Sequence, residues 1–210
     1  MFPRTIVATL GFVIGLGALL LQFALAIPLR LSTGDNLLGA VVYYFTFFTI
    51  LTNLMLVLIY LSELSTAGWL NWWRSPVTRA MMAGAMALLM PFYHLLLAGL
   101  WQPQGLQAIA DTTLHYIAPT LYLLWWLILQ PKGTLRFADI GWMVLPPAIW
   151  LVWTMLRGAV LNEYPYPILE VHKLGYPAVA ANILVVLAIL LGLFALTVVL
   201  DRLLGRRKAG

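Results

Sequence analysis

Long apolar runs separated by short polar or charged stretches recur six times along the chain. Each run approaches or exceeds the ~20 residues that carry a helix across the ~30 Å hydrocarbon core of a membrane. The pattern predicts helices over Thr5–Ile27, Asn36–Ser62, Thr78–Trp101, Asp111–Gln130, Ile140–Leu156 and Tyr176–Leu200. This is an all-α fold: a polytopic membrane protein, one domain over residues 1–210 built as a six-transmembrane-helix bundle. The first run has no small-residue cleavage signal, so it reads as a retained anchor. Proline marks the expected irregularities, with a break after Pro28, a kink at Pro91 and a disturbed turn at Pro146-Pro147.

Polar positions inside these runs are the informative ones, because polar groups in lipid must meet partners and tend to face a bundle interior or a cavity. The stretch Tyr43 to Asn53 reads YYFTFFTILTN. At ~100° per residue, Thr46, Thr49 and Asn53 share about 60° of one helical face, with Tyr43 and Tyr60 near its edges. A single Thr in such a helix commonly bonds a carbonyl one turn back in its own chain; three Thr with an Asn point to the lining of a site. On the fourth helix Asp111, His115 and Tyr122 fall within about 40° of one another, and one turn separates a carboxylate from an imidazole it can orient. His94 lies inside the third helix. On the first, Gly11, Gly15, Ala18 and Gln22 form a small-residue face suited to close helix packing, with Gln22 able to reach a polar partner.

The connections add two features. Glu63 to Val77 mixes Trp69, Trp72 and Trp73 with Arg74, a composition that suits the headgroup level. Gly158 to Gly175 contains Tyr164-Pro165-Tyr166-Pro167, a stiff segment that cannot be helical and reads as a lid or plug, or as a plain interfacial loop.

Composition agrees with the pattern: 63% of residues are hydrophobic and 9% charged, far from the half and quarter of a soluble domain. The net charge of +5 is explained by topology, without nucleic acid. With the N-terminus cytoplasmic, Arg4, Arg74, Arg79, Lys132, Arg136, Arg202, Arg206, Arg207 and Lys208 lie inside and Arg30, Arg157 and Lys173 outside, nine basic residues against three. Both termini are then expected in the cytoplasm, with the chain in a bacterial inner membrane. The histidines and Asp111 fall toward the outer side.

Three function classes remain. A Thr hydroxyl becomes a nucleophile when a base takes its proton, and His is the usual base. A metal site would draw on His94, His115, His172, Asp111, Glu163 and Glu170, but no tight ligand spacing is present. The third class is a non-catalytic protein that binds or transports lipid. The chain has no cysteine, which excludes thiolate chemistry, and no motif calls for a cofactor.

At FFTILTN (Phe47 to Asn53), at His115-Tyr116-x-x-Pro119 with its Trp-rich continuation, and at Tyr164-Pro165-Tyr166-Pro167 leading through Glu170 to Gly175-Tyr176, the chain resembles the bacterial six-transmembrane relatives of the androgen-induced protein family. That superfamily includes membrane threonine hydrolases of fatty acid esters of hydroxy fatty acids. The resemblance implies a catalytic pair of Thr49 and His115, with Thr46 as rival nucleophile, and a lipid or fatty acid ester as substrate. The chain departs from the pattern at Thr52, which stands where the hydrolases have Asn, with Asn53 next. The expected site adds Asp111 to orient His115 and Asn53 and His94 to hold the oxyanion. Tyr43, Phe45, Phe48, Met90 and Tyr122 are expected to bind the acyl chain.

Overall fold

In a computed structural model, which describes residues 2–206, the chain is helical with no strand among the described residues. Five helical segments are long and apolar enough to cross a membrane, and a sixth is if a bent pair is counted as one span. α1 runs Phe2–Ser32, α2 Leu37–Tyr44 and α3 Phe48–Leu64. A short helical turn and α4 (Asn71–Arg74) then lead into α5 (Pro76–Leu96). The next long apolar segment is composite: α6 (Gly105–Thr112), a π turn over Thr113–Ile117, α7 (Ala118–Leu124) and a second π turn over Trp125–Leu129. α8 (Ile140–Leu161) and α10 (Tyr176–Arg206) complete the bundle, joined by a loop that carries α9 (Val171–Leu174).

Proline does not end these helices. Pro28 lies within α1, Pro91 within α5 and Pro146-Pro147 within α8, so the helices extend beyond the predicted limits, to Ser32 and Leu161 in the first and fifth runs. Apolar surroundings make any alternative to the helix costlier than one missing hydrogen bond. The break falls instead where neither proline nor glycine stands. The predicted continuous helix Asn36–Ser62 is divided at Phe45–Phe47 into α2 and α3, which meet at 75°. Phe47 is extended (φ −75°, ψ 127°) and gives α3 no side-chain cap. The common face of Thr46, Thr49 and Asn53 therefore does not form, because Thr46 sits in the break.

Charged groups gather at the two ends. At one, Glu63 takes the guanidinium groups of Arg4 and Arg79. At the other, Arg30 bonds Asp35 (2.5 Å) and Glu163 (2.8 Å), and Arg157 also bonds Glu163. Between them lies an apolar core centred on Tyr60, Met82, Met86, Tyr122, Trp125 and Phe194. The small-residue face of α1 packs as expected: Gly11 lies against the Tyr60 ring, Gly15 against Val57, and Gln22 accepts a hydrogen bond from Gln107 Nε2 (2.9 Å).

A Cβ at Gly11 would sit 2.4 Å from the Tyr60 ring, whereas Gly17 on the same helix meets nothing within 4 Å. Gly11→Leu is expected to destabilise the purified protein by about 1–3 kcal/mol through overpacking. Gly17→Leu should leave the thermal unfolding midpoint in detergent unchanged or raised.

Candidate functional site

Pro119 has no N–H, and the local structure follows from that. The Ala118 N–H bonds back to the Thr113 carbonyl, five residues away, closing a π turn. In that register the donor for the Leu114 carbonyl would be residue 119, which is proline. A buried carbonyl without a donor is costly, and Asn53 of α3 supplies one: its Nδ2 donates to Leu114 O (3.1 Å) and to Thr49 O (2.8 Å). This clamp holds the His115 turn against the start of α3.

The clamped elements bring Thr49, His115 and Asp111 together. Thr49 Oγ1 lies 3.3 Å from His115 Nε2. His115 Nδ1 faces the Asp111 carbonyl oxygen (3.0 Å) and its carboxylate (3.2 Å). Both are acceptors, so Nδ1 carries the proton and Nε2 presents its lone pair to the threonine hydroxyl. Tyr93 secures the array from α5: its ring stacks on the imidazole (centroids 3.6 Å apart, planes at 12°) and its hydroxyl donates to Asp111 Oδ2 (2.5 Å). Trp101 Nε1 donates to the same hydroxyl (3.3 Å).

Thr49 also borders a cavity of about 200 Å³. Its walls come from the start of α3 (Phe48, Thr49), α5 (Leu88, Leu89, Phe92, Tyr93), α8 (Val144, Pro147, Trp150, Leu151) and α10 (Ile183, Val186, Leu190), and the loop closes it with Tyr166, Ile168 and Leu169. The surface is carbon almost throughout. The aromatic–proline loop is thus a plug: Tyr166 is buried, and its hydroxyl accepts the uncapped Phe48 N–H (3.1 Å). Burial raises the Tyr166 pKa, and hydrogen bonds with Thr49 and Phe48 offset part of that rise, so the phenol stays protonated; its O–H can donate to Thr49 Oγ1, which leaves the threonine proton for His115.

Other expected site residues lie elsewhere. Thr46 donates to Val42 O (2.8 Å), is sealed from solvent, and does not border the cavity. Thr52 donates to Phe48 O and Thr49 O, also within its own helix. Asn53 spends its amide protons on the clamp, which leaves none for an oxyanion. His94 is exposed and faces the Tyr116 hydroxyl (3.1 Å), away from Thr49. Of the expected acyl-binding residues only Phe48 borders the cavity. Tyr43 lies under the Arg30 guanidinium (3.9 Å), Phe45 is at the surface, and Met90 receives the Thr120 hydroxyl (3.6 Å). Tyr122 lies in the central core, where its hydroxyl donates to Arg79 O (2.9 Å). The π turn over Thr113–Ile117 breaks the ~100° register that had placed His115 and Tyr122 on one face. Among the described residues no three His, Asp or Glu side chains gather as metal ligands.

Sequence reasoning missed Tyr93 and Tyr166 as members of the site, and α8 and α10 as its walls. Tyr93 carries no positional signal beyond its place beside His94, and the tyrosines of the loop differ only in which one the loop turns inward.

Asn53→Leu removes the side-chain donor to Leu114 O and is expected to cost about 1–3 kcal/mol. Thr52→Val removes bonds made only within one helix and should cost less; thermal unfolding of the two variants side by side is the measurement.

No family model, curated protein or solved structure matches the chain, and the chemistry of the site rests on its own geometry.

Proposed function

We propose that this chain is an integral membrane protein of six spans that hydrolyses a lipid ester, with Thr49 as nucleophile, His115 as base and Asp111 as the group that orients the base. The observation that carries this is the imidazole lone pair aimed at the Thr49 hydroxyl from 3.3 Å, at the edge of an apolar cavity. That separation is loose for a hydrogen bond, as free catalytic sites often are before substrate tightens them. Thr46, engaged with its own helix, is the weaker nucleophile candidate.

His115 Nε2 takes the Thr49 proton as Oγ1 attacks the ester carbonyl carbon and the carbonyl electrons move to oxygen. The intermediate collapses, the C–O bond to the alcohol breaks, and His115 returns its proton to the departing oxygen. Water, deprotonated by the same nitrogen, then attacks the acyl-threonine and releases a fatty acid with Thr49 restored. Asp111 holds the Nδ1–H and favours the imidazolium formed in each half. The cavity walls accept the acyl chain and exclude bulk water from the acyl bond. A long-chain ester, such as a fatty acid ester of a hydroxy fatty acid, suits these walls. The nearly all-carbon lining equally favours a second reading, a lipid-binding or lipid-transport protein without turnover.

A fluorophosphonate separates the two, since a covalent nucleophile must label. Wild type and Thr46→Ala are expected to label and to turn over long-chain esters, whereas Thr49→Ala and His115→Ala should lose both by at least about a hundredfold. Asp111→Asn should retain a reduced rate. Labelling lost in Thr46→Ala alone would move the nucleophile, and a wild type that neither labels nor turns over esters would favour the binding reading.

The excess of basic residues at the Arg4 end supports cytoplasmic termini, a bacterial inner membrane, and a site in the outer half. Topology reporters fused at Gly210 and inserted between Gln102 and Gln104 should fall on opposite sides of the membrane, with Gly210 inside; both on one side would overturn this orientation.

A further inference from the structure

The end of the bundle remote from Thr49 holds a second cavity, of about 280 Å³, whose character is opposite: Arg4, Glu63, Arg74, Arg79, Gln130 and Asp201 line it. Its charges do not balance. Glu63 is shared between Arg4 and Arg79. Asp201 Oδ2 is committed to the backbone, accepting Gly133 N–H (3.0 Å) and Leu135 N–H (2.9 Å). Arg74 has no carboxylate partner among the described residues; it donates to the Ser62, Ser65 and Ala67 carbonyls and to Asn71 Oδ1. Among the described residues lining the cavity, three guanidinium groups thus stand against two carboxylates, an excess of one positive charge.

An unpartnered donor lies on the same wall. Arg79 Nη1 donates to Gln130 Oε1 (2.5 Å); a guanidinium can only donate, so the orientation of the amide is settled and Nε2 points the other way. That Nε2 is buried without a hydrogen-bond partner, in a side chain only 2% exposed. Buried donors are rarely left so, and the half-buried Arg74 guanidinium has no carboxylate among the described residues to offset its charge. A single anion in the cavity neutralises the surplus charge, and a small turn of the Gln130 side chain toward it brings Nε2 an acceptor.

We propose that this cavity binds a phosphate group. Arginine forks match the tetrahedral oxygens of phosphate. The level in the bundle fits as well: the cavity lies where α1 and α5 begin and α3 and α10 end, beside the exposed Trp69 and Trp72, rings that mark a headgroup layer. Basic pockets between helices at this level take the headgroups of anionic lipids. The same chemistry would hold a soluble phosphate compound, and the two sources separate experimentally.

The test is thermal unfolding of the full chain in neutral detergent, with inorganic phosphate replacing chloride at fixed ionic strength, and in mixed micelles containing phosphatidylglycerol or phosphatidylcholine. Phosphate, phosphatidylglycerol or both should raise the midpoint of wild type, with zwitterionic phosphatidylcholine weaker. Stabilisation by phosphatidylglycerol alone assigns the site to lipid, and by phosphate alone to a soluble ligand. Gln130→Glu supplies the missing negative charge from within, and Arg74→Gln removes the surplus positive one. Each should raise the half-saturating concentration about tenfold or more, the loss of a charge-assisted hydrogen bond, with circular dichroism unchanged. A wild type insensitive to both phosphate and phosphatidylglycerol, or variants that respond as wild type does, would overturn the proposal.

Discussion

One side-chain amide joins the two halves of the site. Asn53 gives its two protons to Thr49 O and to Leu114 O, and the second of these carbonyls is free because Pro119 cannot reach back to it. Buried among apolar side chains, a carbonyl has no water to turn to, so the missing donor must come from another helix. The need created by a proline in one span is met by an asparagine in another. The same bond fixes where the His115 turn lies relative to Thr49, and with it the 3.3 Å approach of base to hydroxyl. The asparagine acts through the position of the backbone and touches none of the reacting atoms in the proposed hydrolysis.

The break between α2 and α3 follows the same logic from the donor side. It leaves the first N–H groups of α3 uncapped by any side chain of the break, and Tyr166 of the distant loop receives one of them. Trp150 of α8 donates its indole N–H to Thr46 O in the break (2.9 Å). Two aromatic side chains thus supply polar partners at one end and apolar wall at the other, which suits tyrosine and tryptophan at the margin of a dry cavity. The irregular backbone is tolerated because it is buried in protein and borders a cavity, the condition under which such segments survive among apolar helices.

The bundle keeps its two polar centres apart. Near the Arg30 end the Thr49 site is sparing in polar groups, which bond mostly to one another and to the backbone, and a neutral apolar cavity lies alongside. Near the Arg4 end the second cavity concentrates charge and leaves a donor unmatched. Between them the core of Tyr60, Tyr122, Trp125 and Phe194 is closed, so a ligand at one centre does not reach the other.

The apolar runs and their spacing by themselves determined the helical class, the presence of several helices long and apolar enough to cross a membrane and the packing face of α1, because chain length against apolar content leaves few other solutions. The i,i+4 relation of Asp111 and His115 was equally legible, since one helical turn places them together whatever surrounds them. Tertiary structure alone decided the rest. It set Thr49, and not Thr46, beside His115 by breaking a helix where no proline or glycine announced it. It turned His94 outward and Tyr93 inward, although they are neighbours in the chain. It moved Tyr122 into the core through a π turn, and it built the cavity from α8, α10 and Tyr166, which no periodicity joins to Thr49. A local pattern records which face a residue shares with its own helix; which neighbour supplies a missing donor depends on how the helices meet.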